Sequence, residues 1–227
     1  MEQPRVKRWH IITPNLYQDV EQSINKAYPS LHTYIEDEIV YIRGNLVLWA
    51  LDNREIDHYA IEIQLPDNYP VGVPIVREVG GRIPKNSDRH FSKVGTTEEA
   101  ACLFLPDERF KYWPLGATII KFIEGPVKSF FLWQTDYDLN NGKSTFGQRG
   151  HGINGIIEFY SEEIGTNDKG VIIRFLEYLV KNEVKGHWLC YCGSGEKMRN
   201  CHFDKLKELR AKILTDDALK SLVFLRK

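Results

Sequence analysis

The four cysteines of this 227-residue chain are unevenly placed: three fall in the stretch HWLCYCGSGEKMRNCH, residues 187–202, and Cys102 stands alone. Cys190, Cys192, Cys201 and His202 offer three thiolates and an imidazole in the spacing C-x-C-x8-C-H. Four soft or borderline donors are the number a tetrahedral zinc ion takes, and Gly193 and Gly195 permit the sharp turn that would bring both ends of the stretch to one ion. Cysteines buried as small hydrophobic residues are the alternative, but Lys197, Arg199 and Asn200 are poor company for that role. With every position filled by protein, no site is left for water or substrate, so the spacing predicts a structural zinc. His187 is a spare imidazole, read as a surface or packing residue.

Cys102 lies in TTEEAACLFLPDE. Its neighbours Ala100, Ala101, Leu103 and Phe104 make a buried, inert thiol one reading. A nucleophile is the other. A thiolate, with an unperturbed pKa of ~8.5, attacks an acyl carbon and also leaves it readily, which suits transfer of an acyl group; a serine would trap the group. Upstream, His90 could raise the thiolate fraction or brace the loop. Asp107 and Glu108 are placed to help deprotonate an attacking amine, although loop carboxylates are commonly no more than solvated charges. One cysteine with a distant histidine is also a hydrolase pattern, with His90 or His151 as the base. Gly142, Lys143 and Ser144 imitate the end of a phosphate-binding loop, but Tyr137 stands where the first glycine belongs and no buried strand precedes it.

The elements that must position these residues can be traced from the hydrophobic pattern. TPNLYQDVEQSINKAYP predicts a helix: Thr13 can cap it, Pro14 suits its first position, and Leu16, Val20 and Ile24 recur on one face. HTYIEDEIV, YIRGNLVLWAL and DHYAIEIQLP predict three strands with turn-rich separations, hence an antiparallel meander, and VPIVREV a fourth. Regularity fails from Gly80 to Glu108, a length of loop that is usually functional or disordered. Helical patterns return at PLGATIIKFIEGPVKSFFLW, GINGIIEFYSEEI and GVIIRFLEYLVKN, and DKLKELRAKILTDDALKSLVF predicts one closing helix. DYDLNNGKSTFGQRGHG is polar and glycine-rich and reads as a linker.

Two resemblances follow from these residues. Cys190, Cys192, Gly193, Ser194, Gly195, Lys197, Cys201 and His202 resemble the SEC-C zinc motif, whose relatives are usually interaction elements. Over roughly residues 10–135 the order helix, meander, Tyr69-Pro70, Pro74-Ile75-Val76, His90, Cys102-Leu103 and Trp113-Pro114 resembles a ubiquitin-conjugating enzyme. The resemblance implies an α+β, ubiquitin-conjugating-enzyme-like fold: an N-terminal helix, a four-stranded antiparallel meander, an active-site loop and C-terminal helices, here with a small helical zinc-binding module added. It implies that Cys102 carries a thioester and that His90 is mainly structural. The family's Pro and Asn after the histidine are replaced by Phe91 and Ser92, so its oxyanion asparagine has no counterpart in place; Asn86 is the nearest substitute. The arrangement is most similar to conjugating-enzyme-like proteins of bacterial antiphage operons of the CBASS type. There the partner implied is the C-terminal tail of a cGAS-like nucleotidyltransferase, with a lysine amine as acceptor. A catalytically inactive adaptor remains a further alternative.

The expected organisation is therefore a conjugating-enzyme-like domain over 1–135, a linker with helices over 136–186, and a zinc module with its C-terminal helix over 187–227. With 30 Lys+Arg against 31 Asp+Glu, a net charge of −1 gives no electrostatic argument for nucleic acid or membrane as partner. The polar start MEQPRVKRWH has no apolar signal region and no run reaches the ~18 residues of a spanning helix, so a cytoplasmic location is expected.

Overall fold

The computed structural model describes residues 8–94, 97–147, 149–150 and 152–227. Its elements, in chain order, are α1 (Trp9–Ile12), α2 (Pro14–Ala27), β1 (Leu31–Glu36), β2 (Ile39–Trp49), β3 (Glu55–Leu65), β4 (Ile75–Glu78), β5 (Phe91–Val94), β6 (Thr97–Ala101), α3 (Arg109–Tyr112), α4 (Ile119–Phe122), α5 (Lys128–Leu139), α6 (Ile153–Ile164), α7 (Lys169–Leu179), α8 (Phe203–Lys212) and α9 (Thr215–Leu225). The class is α+β. Two compact units divide the chain: Met1–Leu103 with Tyr112–Phe146, and Phe104–Lys111 with Gly147–Lys227. No helix among the described residues is long and apolar enough to cross a membrane.

In the first unit β1 to β4 form the expected antiparallel meander in sequential order. Ile42 lies opposite Ile63, and Ile63 opposite Val76. The strand period of two sends Val40, Ile42, Leu46 and Leu48 of β2, and Tyr59, Ile61, Ile63 and Leu65 of β3, to one buried face. Helix α2 buries Val20 and Ile24, as their spacing requires, and packs against β1 and α4. Thr13 does not cap it; its hydroxyl donates to the Trp9 carbonyl at 2.7 Å instead. Gly44, at φ 144°, faces the start of β1, where a Cβ would meet the Ser30 carbonyl oxygen at 1.9 Å, so only glycine lets the two backbones approach.

The helical stretch after Trp113 runs from α4 into α5 through a π turn at Ile123–Val127 that contains Pro126. Proline lacks an N–H and crowds the preceding turn of an ordinary α-helix; the wider turn absorbs both faults without ending the run. Phe122, Ile123, Val127 and Phe131 are all fully buried there.

The second unit is a helical core. Ile156, Phe159, Tyr160, Ile172, Phe175 and Leu176 of α6 and α7 share one cluster with Leu206, Leu209, Ala218, Leu222 and Leu225 of α8 and α9. Asp168 caps α7, accepting from the amides of Gly170 at 2.7 Å and Val171 at 3.0 Å. The closing helix expected from the sequence is two helices, broken at Ile213 and Leu214. At 100° per residue a straight helix would turn the Leu206/Leu209 pair and the Ala218/Leu222/Leu225 set roughly 150° apart, so only a break lets both sets reach one core. Asp216 and Asp217 then favour the new N-terminus.

The division differs from that expected at 135 and 187. Helices α6 and α7, expected to accompany a linker, belong to the same core as Cys190, Tyr191 and Met198 of the cysteine-rich stretch. The short segment Phe104–Lys111 joins this unit too, with Leu105 and Phe110 packed against that core.

Candidate functional site

The cysteine-rich stretch folds as a tight hairpin. Leu189 bridges Lys197 in antiparallel fashion, the Cys190 amide donates to Glu196 O at 2.8 Å, and the Met198 amide donates to Trp188 O at 2.7 Å. The return is made at Gly193 and Gly195, with φ of 82° and 80°, a region that glycine alone enters without strain. Cys201 follows a 3-10 turn at Met198–Asn200, and His202 is the N-cap residue just before α8.

This brings together the four side chains singled out in the sequence. Their ligand atoms all lie within 4.8 Å of one another and could hold a metal ion. Cys192 Sγ is 3.6 Å from Cys201 Sγ, and His202 Nδ1 is 3.3 Å from Cys190 Sγ and 3.1 Å from Cys201 Sγ. None of the three cysteines is in a disulfide. Burial pushes the Cys190 thiol up to about 11. Burial opposes ionisation at Cys192 as well, but the hydroxyl and amide of Ser194, together with the neighbouring Cys190 and Cys201 thiols, outweigh it and bring that thiol down to about 6.

The hairpin is held from behind. Arg174 of α7 donates through Nε to Tyr191 O at 2.9 Å, Tyr178 donates to Leu189 O at 3.0 Å, and Phe175 meets the Tyr191 ring edge-on at 5.0 Å. Met198 has no exposed surface. His187, by contrast, is exposed and is not among the four clustered donors.

In the first unit the structure also brings Cys102 and His90 together, through the backbone. The segment after β4 is not structureless: it contains a 3-10 turn at Ser87–Arg89 and the short hairpin of β5 and β6, in which Phe91 pairs with Ala101. At the open end of that hairpin the Cys102 amide donates to His90 O at 2.7 Å. Cys102 is half-buried. His90 adopts a left-handed conformation, φ 54° and ψ 45°, and its ring meets Trp133 edge-on at 5.2 Å. Asn86 caps the 3-10 turn, its side-chain oxygen accepting from the Arg89 amide at 3.0 Å, so it braces the turn that presents His90.

Sequence reasoning missed the side chains that anchor this loop. Glu78, only 3% exposed on β4, accepts from Lys85 Nζ at 2.7 Å and from the Arg82 amide at 3.2 Å. Arg82 pairs with Asp57 on both its terminal nitrogens. Arg89 Nε donates to Gln134 Oε1 at 2.7 Å, while Gln134 Nε2 donates back to Arg89 O at 2.8 Å, and Arg89 Nη1 reaches Asp138 at 2.6 Å. Gln134, fully buried on α5 amid FFLWQTD, was the available signal: a polar residue on an apolar face needs partners.

Asp107 and Glu108 differ from the expected solvated loop charges. Both are buried in the second unit. Asp107 accepts from the hydroxyls of Tyr160 and, at 2.7 Å, Ser221. Burial pushes its carboxyl above the usual range, and these two hydroxyls offset part of the effect. Glu108 is held bidentately by Arg149, at 2.8 and 3.0 Å. His151, the other candidate base, lies outside the described residues.

Comparison with protein-family models, with curated proteins and with solved structures gives no match for this chain.

Proposed function

We propose that this chain is a cysteine-dependent conjugating protein of the ubiquitin-conjugating-enzyme-like type, with Cys102 as the acyl carrier. The observation that carries the reading is the Cys102 amide fixed at 2.7 Å on the His90 carbonyl, at the mouth of a loop braced from β4 and α5, in a unit of helix, four-stranded meander and helix. In the reaction, the Cys102 thiolate attacks the activated carbonyl of a protein C-terminus; a C–S bond forms and the activating group leaves. An amine, in the reading a lysine of the acceptor, then attacks the thioester carbon, loses its proton to solvent or a base, and expels the thiolate. The braced loop holds the thiol in place so that only the acyl group and the amine need to be brought in. The resemblance to CBASS-type proteins names the donor as the tail of a cGAS-like nucleotidyltransferase, in bacterial antiphage defence.

The ion at Cys190, Cys192, Cys201 and His202 is proposed to be zinc. A tetrahedron with Zn–S bonds of ~2.3 Å has S···S edges of roughly 3.8 Å. With a Zn–N bond of ~2.0 Å the S···N edges are roughly 3.5 Å. The three short donor spacings, 3.1–3.6 Å, fall slightly inside these edges and all donor atoms lie within 4.8 Å of one another, so small adjustments in both directions would seat the ion. A three-thiolate, one-imidazole set is a zinc preference, and the ion takes no part in the transfer. The hydrolase alternative is less well served, because Cys102 follows the end of β6 rather than opening a helix.

The test is the difference between sulfur and oxygen as leaving groups. With the activated C-terminal tail of the nucleotidyltransferase as donor, wild type forms an adduct that thiol reductants remove. Cys102→Ser accumulates an oxyester that survives reductant and is cleaved by hydroxide, and Cys102→Ala forms nothing. An unchanged adduct on Cys102→Ala refutes the assignment.

A further inference from the structure

One face of α5 carries the turn that ends at His90. Trp133, Gln134, Tyr137 and Asp138 fall within about 140° of one another at 100° per residue, and each of them meets Arg89 or His90. Three of these contacts are to side chains: the Arg89 guanidinium lies over the Tyr137 ring and donates to Asp138, and the His90 ring meets Trp133 edge-on. Gln134, with no exposed surface, also reaches the backbone. It accepts from Arg89 Nε at 2.7 Å and donates through Nε2 to the Arg89 carbonyl at 2.8 Å. A guanidinium only donates and a carbonyl only accepts, so these partners fix which way the amide points. All of these residues belong to the first unit, as does Cys102.

We infer that Gln134 is a positioning residue for Cys102: its amide holds the Arg89–His90 peptide so that His90 stays left-handed and its carbonyl receives the Cys102 amide. The Arg89 carbonyl is one end of that peptide, and its other end, the His90 amide, donates to Ser87 O at 2.9 Å. At φ 54° and ψ 45° His90 occupies a conformation that a residue with a Cβ enters against a handicap of roughly fivefold to thirtyfold. A hydrogen bond is worth about twofold to tenfold, so the Gln134 bond and its companion on the same peptide together offset the handicap. With the Arg89 carbonyl released, the peptide can rotate about the single bonds on either side of it; His90 then relaxes and its carbonyl turns away from Cys102. The bond from the Cys102 amide, at 2.7 Å, is therefore set from α5, and with it the share of time the thiol spends in one orientation.

The role in transfer rests on Cys102 being the acyl carrier; the hold on the peptide does not, and its test needs no donor. Hydrogen exchange at the Cys102 amide is read by NMR on the full zinc-loaded chain. Gln134→Glu keeps an acceptor for Arg89 Nε but has no proton for the Arg89 carbonyl, because the guanidinium beside it keeps the new carboxylate ionised. It should speed exchange at Cys102 by about twofold to tenfold, the weight of one hydrogen bond, while the amides of β2 and β3 keep their protection. Should this variant unfold the unit, Gln134→Asn, one methylene too short to make both bonds, carries the same test. The substitution is then repeated on His90→Gly, since glycine pays nothing for the left-handed conformation and has less need of the hold. The factor lost to Gln134→Glu should shrink in that background. Wild-type exchange at Cys102 in both Gln134 variants would overturn the inference, and so would an equal or larger factor on His90→Gly, which would make Gln134 a general packing residue. With the activated tail as donor, Gln134→Glu should slow charging by the same twofold to tenfold at saturating donor and leave the half-saturating concentration unchanged. If the exchange results come out as expected while wild type forms no thioester, the hold stands and the conjugation reading falls.

Discussion

Removing the metal ligands should melt the second unit and spare the first. Cys190, Tyr191 and Met198 are buried in the core shared by α6 to α9, so the hairpin cannot open without opening that core. The unit has about ninety residues. At ordinary stabilities it is worth roughly 4–13 kcal/mol, whereas a structural zinc site contributes ~10–16 kcal/mol of apparent binding free energy at neutral pH. The metal term matches or exceeds the whole stability, so the metal-free unit should sit at or below the threshold of folding. Unlike a zinc finger it retains an apolar core, and collapse to a loosely packed helical state is the expected product.

The assay is chelation at neutral pH, followed by metal analysis and segment-resolved hydrogen exchange, with Cys190→Ser plus Cys201→Ser as the genetic equivalent. Amides of α7 and α9 should lose at least about a hundredfold of protection, while those of β2 and β3 in the first unit keep theirs. Wild-type protection across α7 and α9 in protein shown to be metal-free would refute the argument that the site holds the core. Zinc retained by the double variant would refute the ligand set.

Two further outcomes follow from the first unit. His90→Gly should retain charging of Cys102 to within a few-fold, because it is the His90 carbonyl that meets the Cys102 amide and glycine accepts the left-handed conformation freely; loss of charging in the oxyester assay would assign the work to the imidazole. Asp57 gives a pH dependence. Burial opposes its charge, but Arg82, the Thr135 hydroxyl and the His58 amide outweigh burial and hold the carboxyl at about 2. A folded pKa below the unfolded ~3.9 stabilises the fold above that pH, and the contribution is lost as pH falls towards 2. Discounted for the partial exposure of Arg82, Asp57→Asn should cost about 1–2 kcal/mol in urea unfolding at pH 7. The gap between variant and wild type should close near pH 2; a gap that persists there would place the effect in packing instead of charge.

What the sequence made legible was local and periodic. The meander was readable because β3 alternates Tyr59, Ile61, Ile63 and Leu65 with polar or small residues, and antiparallel neighbours need only short turns. The cluster of four candidate metal ligands was readable because spacing and glycines carry the geometry within sixteen residues. The β5–β6 hairpin was not: FSKV and TEEAA show no alternation, and their pairing is specified by neighbours rather than by pattern. Nor was burial of Asp107 and Glu108, since nothing local distinguishes a solvated acid from one whose hydroxyl or guanidinium partners lie 41 to 114 residues away. The break between α8 and α9 could have been read, by testing whether one helical face holds both leucine sets.

The insertion of Phe104–Lys111 into the second unit changes what the two halves of the chain can do separately. Neither is a contiguous stretch: α4 and α5 of the first unit are reached only after the chain has passed through the second. Asp107 and Glu108 would each bury an uncompensated carboxylate if their partners were withdrawn, so the segment is either docked with all its bonds or released to solvent. Burial of Cys190 and Met198 in the same core puts the candidate metal site in the core on which that segment packs. The candidate metal site is thus a structural element of the same unit into which Phe104–Lys111 is built.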